Sequence, residues 1–338
     1  MIGEAIKAVV AGRDLSPSDV EDAMDAILSG EATPAQIAAF VVALRMKGES
    51  SDEIAAAARS LRKHCESIHP NVDGPLLDTC GTGGDGLHTF NISTASAIVA
   101  AACGVAVAKH GNRAVSSKAG SADVLEALGV RIDIPAESVR RCIEEVGIGF
   151  LFAPSHHAAM RHAAPIRREL GIRTLFNLLG PLSNPASATH QVVGVFDPAR
   201  AEQLATALGI LGLDAAWVVH GDGGLDEVSP SGPTRVAELR NGEVRTFELS
   251  PADFGVDSVS LEALRGGDAN ENADIIGRVL RGEACAARAA VVVNAAAALC
   301  VTGIAADPET GAKRAAEALD SGAAEQVLAR WVQYTQAI

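Results

Sequence analysis

In the first 68 residues, apolar positions recur at the spacing of one helix face, and each run is preceded by a capping signature. Ser16-Pro17-Ser18-Asp19 offers an N-cap serine, a proline at the first helical position and an acid in the first turn. It precedes Val20, Met24, Ile27 and Leu28 at helical spacing. Thr33-Pro34-Ala35-Gln36 repeats the signature before Ile37, Phe40, Val41 and Leu44. Ser50-Ser51-Asp52-Glu53 repeats it again before Ile54, Ala58 and Leu61. The pattern predicts three capped helices with short links.

After the turn-rich stretch His69–Pro75 the period changes. Short apolar runs at 76–80, 104–108, 148–152, 191–196 and 216–220 alternate with helical stretches at 94–103, 122–129, 136–146 and 199–211. That alternation predicts βαβ units and a mainly parallel sheet covered on both faces. From about Ser260 onward the chain reads as helices, with breaks near Gly266-Gly267 and Gly303. The segment His156–Leu170 is polar, basic and helical, and Leu178–Pro185 reads as a long loop. This insertion is expected to leave the sheet and pack back on the N-terminal helices. The expected fold is α/β: a small helical domain, 1–70, joined by the inserted segment at about 160–190, and a larger domain, 71–338, with a mainly parallel central sheet.

Composition narrows the class. The chain has 338 residues, 48% hydrophobic and 21% charged, in the range of a globular enzyme with ample core. Aromatics are only 3%, while alanine is frequent, as in 55–58 and 295–298, which favours closely packed helices over a barrel of short strands. The net charge of −14 argues against nucleic acid as the main partner. Six cysteines are widely spaced, with no C-x-x-C pair, and read as reduced thiols. No run approaches the roughly 18 apolar residues of a membrane span, and Met1-Ile2-Gly3-Glu4 does not read as a signal peptide. The expected location is the cytoplasm, with no membrane partner.

Two glycine-rich stretches carry the chemistry. Leu76–Cys80 runs into Gly81-Thr82-Gly83-Gly84-Asp85-Gly86, where backbone N–H groups can approach a ligand with no side chain in the way. Val105–Ala108 runs into Lys109-His110-Gly111-Asn112-Arg113-Ala114-Val115-Ser116-Ser117, a basic loop rich in donors. The first stretch also satisfies G-x-G-x-x-G, but the next strand ends on Lys109-His110, where a dinucleotide site requires an acid for the ribose. A cation there suits phosphate. Lys109 and Arg113 are the candidate catalytic residues, acting electrostatically on a phosphate or pyrophosphate. Phe90-Asn91-Ile92-Ser93-Thr94 opens the next helix, where the side chains either cap it or bind anionic oxygens together with the helix N-terminus. Asp226-Glu227 follows a strand and a glycine-rich turn, and beside a pyrophosphate site reads as a Mg²⁺ site. His156, His157 and His162 lack the spacing of a zinc site.

Taken in order and spacing, these motifs, with Gly120-Ser121-Ala122-Asp123, Arg167–Thr174, Phe176–Leu182 and Leu225-Asp226-Glu227, resemble the anthranilate phosphoribosyltransferase family. That family is the tryptophan-pathway branch of the nucleoside phosphorylase-like phosphoribosyltransferases, and the resemblance spans essentially the whole chain. It implies transfer of a phosphoribosyl group from phosphoribosyl pyrophosphate (PRPP) to the amine of anthranilate. Carried over by position, Gly81, Gly84, Asp85, Thr89, Asn91, Ile92, Ser93 and Thr94 would hold PRPP. Lys109, His110, Gly111, Asn112, Arg113, Ala114, Val115, Ser116, Ser117 and Ser121 would complete that site. Gly81, His110, Asn112 and Arg167 would contact anthranilate, with Arg168 the alternative to Arg167. Ser93, Asp226 and Glu227 would bind Mg²⁺, two ions per subunit with substrate present. The resemblance also implies a homodimer. Ala158 stands where members commonly carry Pro, and Thr89 where they often carry Ser.

Two other readings stay open at this level. A pyrimidine nucleoside phosphorylase of the same fold would carry Lys-His-Ser and a Thr-Gly-Gly run, which are absent here. A noncatalytic nucleic-acid-binding relative would want a basic groove, which the net charge opposes.

Overall fold

Capping chemistry sets the helical layer. The computed structural model describes residues 2–114 and 118–338. Four helices come first: α1 (Ile2–Val10), α2 (Pro17–Leu28), α3 (Pro34–Lys47) and α4 (Ser51–Lys63). Ser16 caps α2 by accepting from the Asp19 N–H at 3.2 Å. Thr33 with Gln36 and Ser50 with Glu53 form capping boxes on α3 and α4. Helix α1 is an addition to the three predicted. No capping signature in the sequence announces it, and only Ile2, Ala5 and Val9 mark its buried face.

Seven strands form one sheet: β1 (Leu76–Gly81), β2 (Ala106–Gly111), β3 (Ile148–Phe152), β4 (His190–Gly194), β5 (Ala215–Gly221), β6 (Thr234–Arg240) and β7 (Glu243–Leu249). Their spatial order is β3-β2-β1-β4-β5-β6-β7. The first five are parallel, as the alternation predicts, whereas β6 and β7 are antiparallel. The β6–β7 hairpin lies outside the predicted runs. Its turn is Asn241-Gly242, both at positive φ (54° and 79°), the geometry of a two-residue hairpin. Exposed Glu243, Arg245 and Glu248 guard the open edge of β7.

Helices cover both faces of the sheet. They are α5 (Ile92–Ala102), α6 (Ser121–Ala127), α7 (Ala136–Val146), α8 (Ala153–His156), α9 (Ala164–Leu170), α10 (Leu175–Leu182), α11 (Arg200–Ile210), α12 (Ala269–Leu280), α13 (Ala286–Val301), α14 (Pro308–Asp320) and α15 (Ala323–Gln336). Strand β5 shows the two-sided burial directly. Trp217 and Val219 join the core under α5, α12 and α13, and Ala216 and Val218 join the core under α4, α10 and α11. The alanine-rich α13 is buried over most of its length and packs closely on α5 and α14.

The segment after β3 leaves the sheet, and α9 and α10 pack on α3 and α4. Here one expectation is corrected. Leu178–Leu182 is not loop but the last part of α10, because Leu175, Phe176, Leu178, Leu179 and Leu182 are buried against the helical layer. The irregular chain begins only at Ser183. No helix among the described residues is long and apolar enough to cross a membrane.

Candidate active site

The strand order reverses at β1, whose neighbours are β2 on one side and β4 on the other. Open α/β sheets bind ligands at such a switch point, beyond the carboxyl ends of the strands. There Gly81 of β1 lies beside Gly194 of β4. Both admit the 226–227 segment. A Cβ on Gly194 would lie 1.5 Å from the Asp226 carbonyl oxygen, and one on Gly81 would lie 2.8 Å from the Asp226 carboxylate. A cleft of about 940 Å³ opens above these glycines, walled opposite by the 153–183 segment.

Most of the site residues named from sequence meet in this cleft. Gly81, Gly84, Asp85, Thr89, Asn91, Ile92 and Ser93 line one side. Lys109, His110, Gly111, Asn112, Arg113, Ala114 and Ser121 line the next, and Arg167, Asp226 and Glu227 complete it. Thr94 does not reach the cleft. One residue past Ser93 on a helix turns it by about 100°, and it is buried in α5. Val115, Ser116 and Ser117 lie outside the described residues.

The helix N-terminus and the acid pair are built together. Glu227 Oε1 accepts from the Ser93 N–H at 3.1 Å, so a carboxylate sits on the amino end of α5. Asp226 Oδ2 accepts from the Gly83 N–H at 2.9 Å, tying the acid pair to the glycine loop. Burial is the main force raising the pKa of both acids. The Asp85 charge adds to it at Asp226, and the Asp226 charge adds to it at Glu227. Crowded, partly desolvated carboxylates of this kind call for a cation. Among the described residues no three or more His, Cys, Asp or Glu form a self-contained metal cage. Mg²⁺ needs only one or two carboxylates when substrate phosphates supply further oxygens, so the donor set fits.

Lys109 is 1% exposed and donates from Nζ to the Thr79 carbonyl at 2.7 Å and to Ser93 Oγ at 3.4 Å. Burial lowers its pKa, opposed by the carboxylates of Asp78 and Glu227. His110 is held on both sides. Its N–H donates to Asp78 Oδ1 at 3.1 Å, and its ring Nδ1 lies 3.2 Å from the Gly180 carbonyl, which assigns the proton to that nitrogen. Burial first, then His157, pushes its pKa down to about 3, so the ring is neutral. Arg113 is arranged differently from the expectation of a free phosphate clamp. Its guanidinium is half-exposed and paired with Asp123 at 2.9 Å and Glu126 at 2.5 Å. Asp123 also accepts from the Ala114 and Gly120 N–H groups at 3.0 and 2.9 Å, cinching the two ends of the basic loop.

On the opposite wall, Arg167 is partly buried with its Cζ 5.5 Å from the Phe176 ring, and burial lowers its pKa. Arg168 is exposed and is not part of the cleft lining. Two residues that support the cleft escaped the sequence reading. Asp78 is a buried carboxylate under His110 that also accepts from Asn184 Nδ2 at 2.8 Å and Gln191 Nε2 at 3.4 Å. Its signal was a charge inside an apolar strand run. Arg173 stacks 3.5 Å over the Phe196 ring and donates to the Gly84 carbonyl, joining the α9–α10 connection to the glycine loop. Nothing in its spacing marks it.

Comparison with known proteins adds independent weight. The family described as "Glycosyl transferase family, a/b domain" matches residues 73–325, and "Glycosyl transferase family, helical bundle domain" matches residues 3–65. The chain is 56% identical over 331 residues to anthranilate phosphoribosyltransferase of Myxococcus xanthus, covering 98% of each. The crystal structure of the Thermus thermophilus enzyme of that name superposes with a TM-score of 0.94 at 46% identity, covering 98% of this chain and 99% of that one. The Saccharomyces cerevisiae enzyme in complex with PRPP and Mg superposes at 0.92 with 30% identity, covering 100% of this chain and 98% of that one. The same yeast protein has also been solved in complex with 4-fluoroanthranilate.

Proposed function

Because the chain belongs to the anthranilate phosphoribosyltransferase family, we propose that its cleft divides into a phosphate end at the glycine loop and an aromatic-acid end at Arg167. The enzyme transfers the phosphoribosyl group of PRPP to the amine of anthranilate. The products are N-(5-phosphoribosyl)anthranilate and pyrophosphate, the second step from chorismate to tryptophan. The observation that carries the division is the placement of Lys109 and the α5 N-terminus beside the acid pair, with Arg167 on the facing wall.

At the phosphate end, Gly81, Gly84, Asp85, Thr89, Asn91, Ile92 and Ser93 hold PRPP with the backbone and side chains of 109–114 and Ser121. Open glycine N–H groups and the α5 amino end receive its oxygens. Ser93, Asp226 and Glu227 would hold Mg²⁺, two ions per subunit when PRPP is bound, and the metal supplies neutralisation of the leaving pyrophosphate. At the other end, Arg167 pairs with the anthranilate carboxylate, and Gly81, His110 and Asn112 flank the ring.

The reaction asks little of side chains as acids or bases. The aromatic amine is neutral, so its nitrogen attacks ribose C1 without prior deprotonation. The C1–O bond breaks as the C1–N bond forms, and the electron pair leaves on pyrophosphate. Lys109 stabilises the departing charge through a fixed, buried ammonium, and the facing walls align amine and C1. The nitrogen then loses a proton to solvent water, for which no strong base is required.

Three coarser readings accompany this one. Residues 1–70 act as the helical body and 71–338 as the α/β body, with the 160–190 segment closing the cleft between them. A homodimer is proposed on the family resemblance, and one joined through the helical layer would cover the exposed Val10 and Met46 of α1 and α3. The cytoplasm is proposed as its location, with water-soluble small-molecule substrates and no membrane partner. The test of the chemistry is direct: protein, Mg²⁺, PRPP and anthranilate are mixed and anthranilate fluorescence is followed. Loss of fluorescence with equimolar pyrophosphate is expected. A stable signal, with phosphorolysis of a pyrimidine nucleoside instead, would overturn it.

A further inference from the structure

The break at Gly266-Gly267 is a sequence feature near the cleft that the reaction does not absorb. In the structure it is a contact point. The Phe90 N–H donates to the Leu264 carbonyl at 3.0 Å, and the Gly266 N–H donates to the His88 carbonyl at 2.9 Å. Thr89 and Arg265 pair between them as an antiparallel bridge, so 264–266 is zipped to the segment that enters α5. A Cβ on Gly266 would lie 2.5 Å from Asn272 Oδ1 and 2.8 Å from Phe90 Cα, so only glycine fits.

Asn272, in the first turns of α12, is 2% exposed and lies directly behind this contact. Its Oδ1 accepts from the Gly267 N–H at 2.7 Å, and its Nδ2 donates to Asn91 Oδ1 at 3.0 Å. Asn91 Nδ2 in turn donates to the Ala119 carbonyl at 3.3 Å. The direction of the chain is set at both ends. A backbone N–H can only donate and a backbone carbonyl can only accept, so both amides have one permitted orientation. Asn91 makes no capping bond to its own helix, although it stands at the N-cap of α5. Its oxygen is turned away to Asn272, and an amide nitrogen has a second proton to offer the cleft that Asn91 lines.

We infer that Asn272 is a positioning residue for PRPP: it holds Asn91 with its N–H₂ group toward the phosphate oxygens and its carbonyl oxygen away from them. The inference rests on the reading that Asn91 contacts PRPP. A buried donor in Asn272 thereby decides whether an anion meets a donor or an acceptor at the mouth of α5.

The isosteric Asn272→Asp separates this role from packing. The aspartate still accepts from Gly267 but cannot donate to Asn91, whose oxygen then faces a carboxylate. Steady-state kinetics in both substrates should show the PRPP KM raised at least about tenfold, the loss of a hydrogen bond to a charged group. The anthranilate KM should stay within about twofold. Asn272→Ser, which removes more volume but adds no acceptor conflict, should be milder than Asn272→Asp. A packing role would reverse that order, because the larger cavity is the greater defect. In an Asn91→Ala background, Asn272→Asp should have no further effect on the PRPP KM. The inference is overturned by an unchanged PRPP KM in Asn272→Asp, by Ser exceeding Asp, or by an equal rise in the Asn91→Ala background. Asn91→Ala alone gives the separate check: if it leaves the PRPP KM unchanged, the Asn91 reading itself is wrong.

Discussion

Arg167 and Arg168 are neighbours on one short helix, yet the fold gives them different surroundings. Arg167 faces the cleft beside Phe176, and Arg168 is exposed to solvent. Arg167→Ala is therefore expected to raise the anthranilate KM by roughly 10- to 150-fold, the range for losing a charged hydrogen bond, with the PRPP KM nearly intact. Arg167→Lys should recover only part, since an ammonium lacks the planar fork. Arg168→Ala should change neither constant beyond about twofold, and initial-rate measurements on the three variants decide the assignment. Sequence alone left these two arginines open because helix phase over seven residues is too short to fix which one faces inward. It did name the residues that line the glycine loop and the basic loop, because glycine and clustered cations have few other reasons to follow a strand. It missed Asn272 and Arg173, whose contacts cross 181 and 89 residues of sequence.

At the scale of elements, the parallel core was legible and the antiparallel edge was not. Strands β1 to β5 are short apolar runs between helical patterns, and they pair as that pattern demands. The β6–β7 hairpin alternates apolar and charged residues around Asn241-Gly242, a hairpin signal distinct from the continuous apolar runs that mark β1 to β5. Helix α10 looked like loop because Gly180 and Pro181 break the pattern, but Pro181 sits in its last turn, where the burial of the flanking leucines outweighs the lost backbone bond. The close crossing of the 226–227 segment over β4 gives a sharp test. Gly194→Ala places a methyl 1.5 Å from the Asp226 carbonyl and must push the acid pair off its place. Turnover should fall by at least about a hundredfold, with the melting temperature lowered. Wild-type turnover in this variant would show that the position of the acid pair does not matter.

For the molecule as a whole, a neutral histidine pair in the cleft wall couples stability to pH. Burial is the leading cause holding His110 at about 3 and His157 at about 4, both below the ordinary histidine value. Their rings meet edge to face at 5.2 Å. In the unfolded chain both take up protons below about pH 6.5, while the folded protein does not, so acid favours unfolding. Stability should be flat with respect to these groups above about pH 6.5 and fall on acidification, by up to about 1.4 kcal/mol per pH unit for each histidine. Denaturant unfolding of wild type and His157→Gln from neutral pH down to about pH 5 reads this out. A shallower dependence is expected for the variant, and parallel curves would contradict it.

On the proposed function, the switch point between β1 and β4 gathers the glycine loop, Lys109 and the Asp226-Glu227 pair into one metal-assisted pyrophosphate site. The paired change Asp226→Asn with Glu227→Gln keeps volume and removes charge, and so isolates that claim. The measurement is the initial rate of anthranilate fluorescence loss against Mg²⁺ concentration, with PRPP saturating, for wild type and the double variant. The predicted result is a wild-type rate that vanishes with chelator and returns with Mg²⁺, beside a variant that loses most turnover and needs far more Mg²⁺. Full turnover of the double variant in chelator-treated buffer would contradict it.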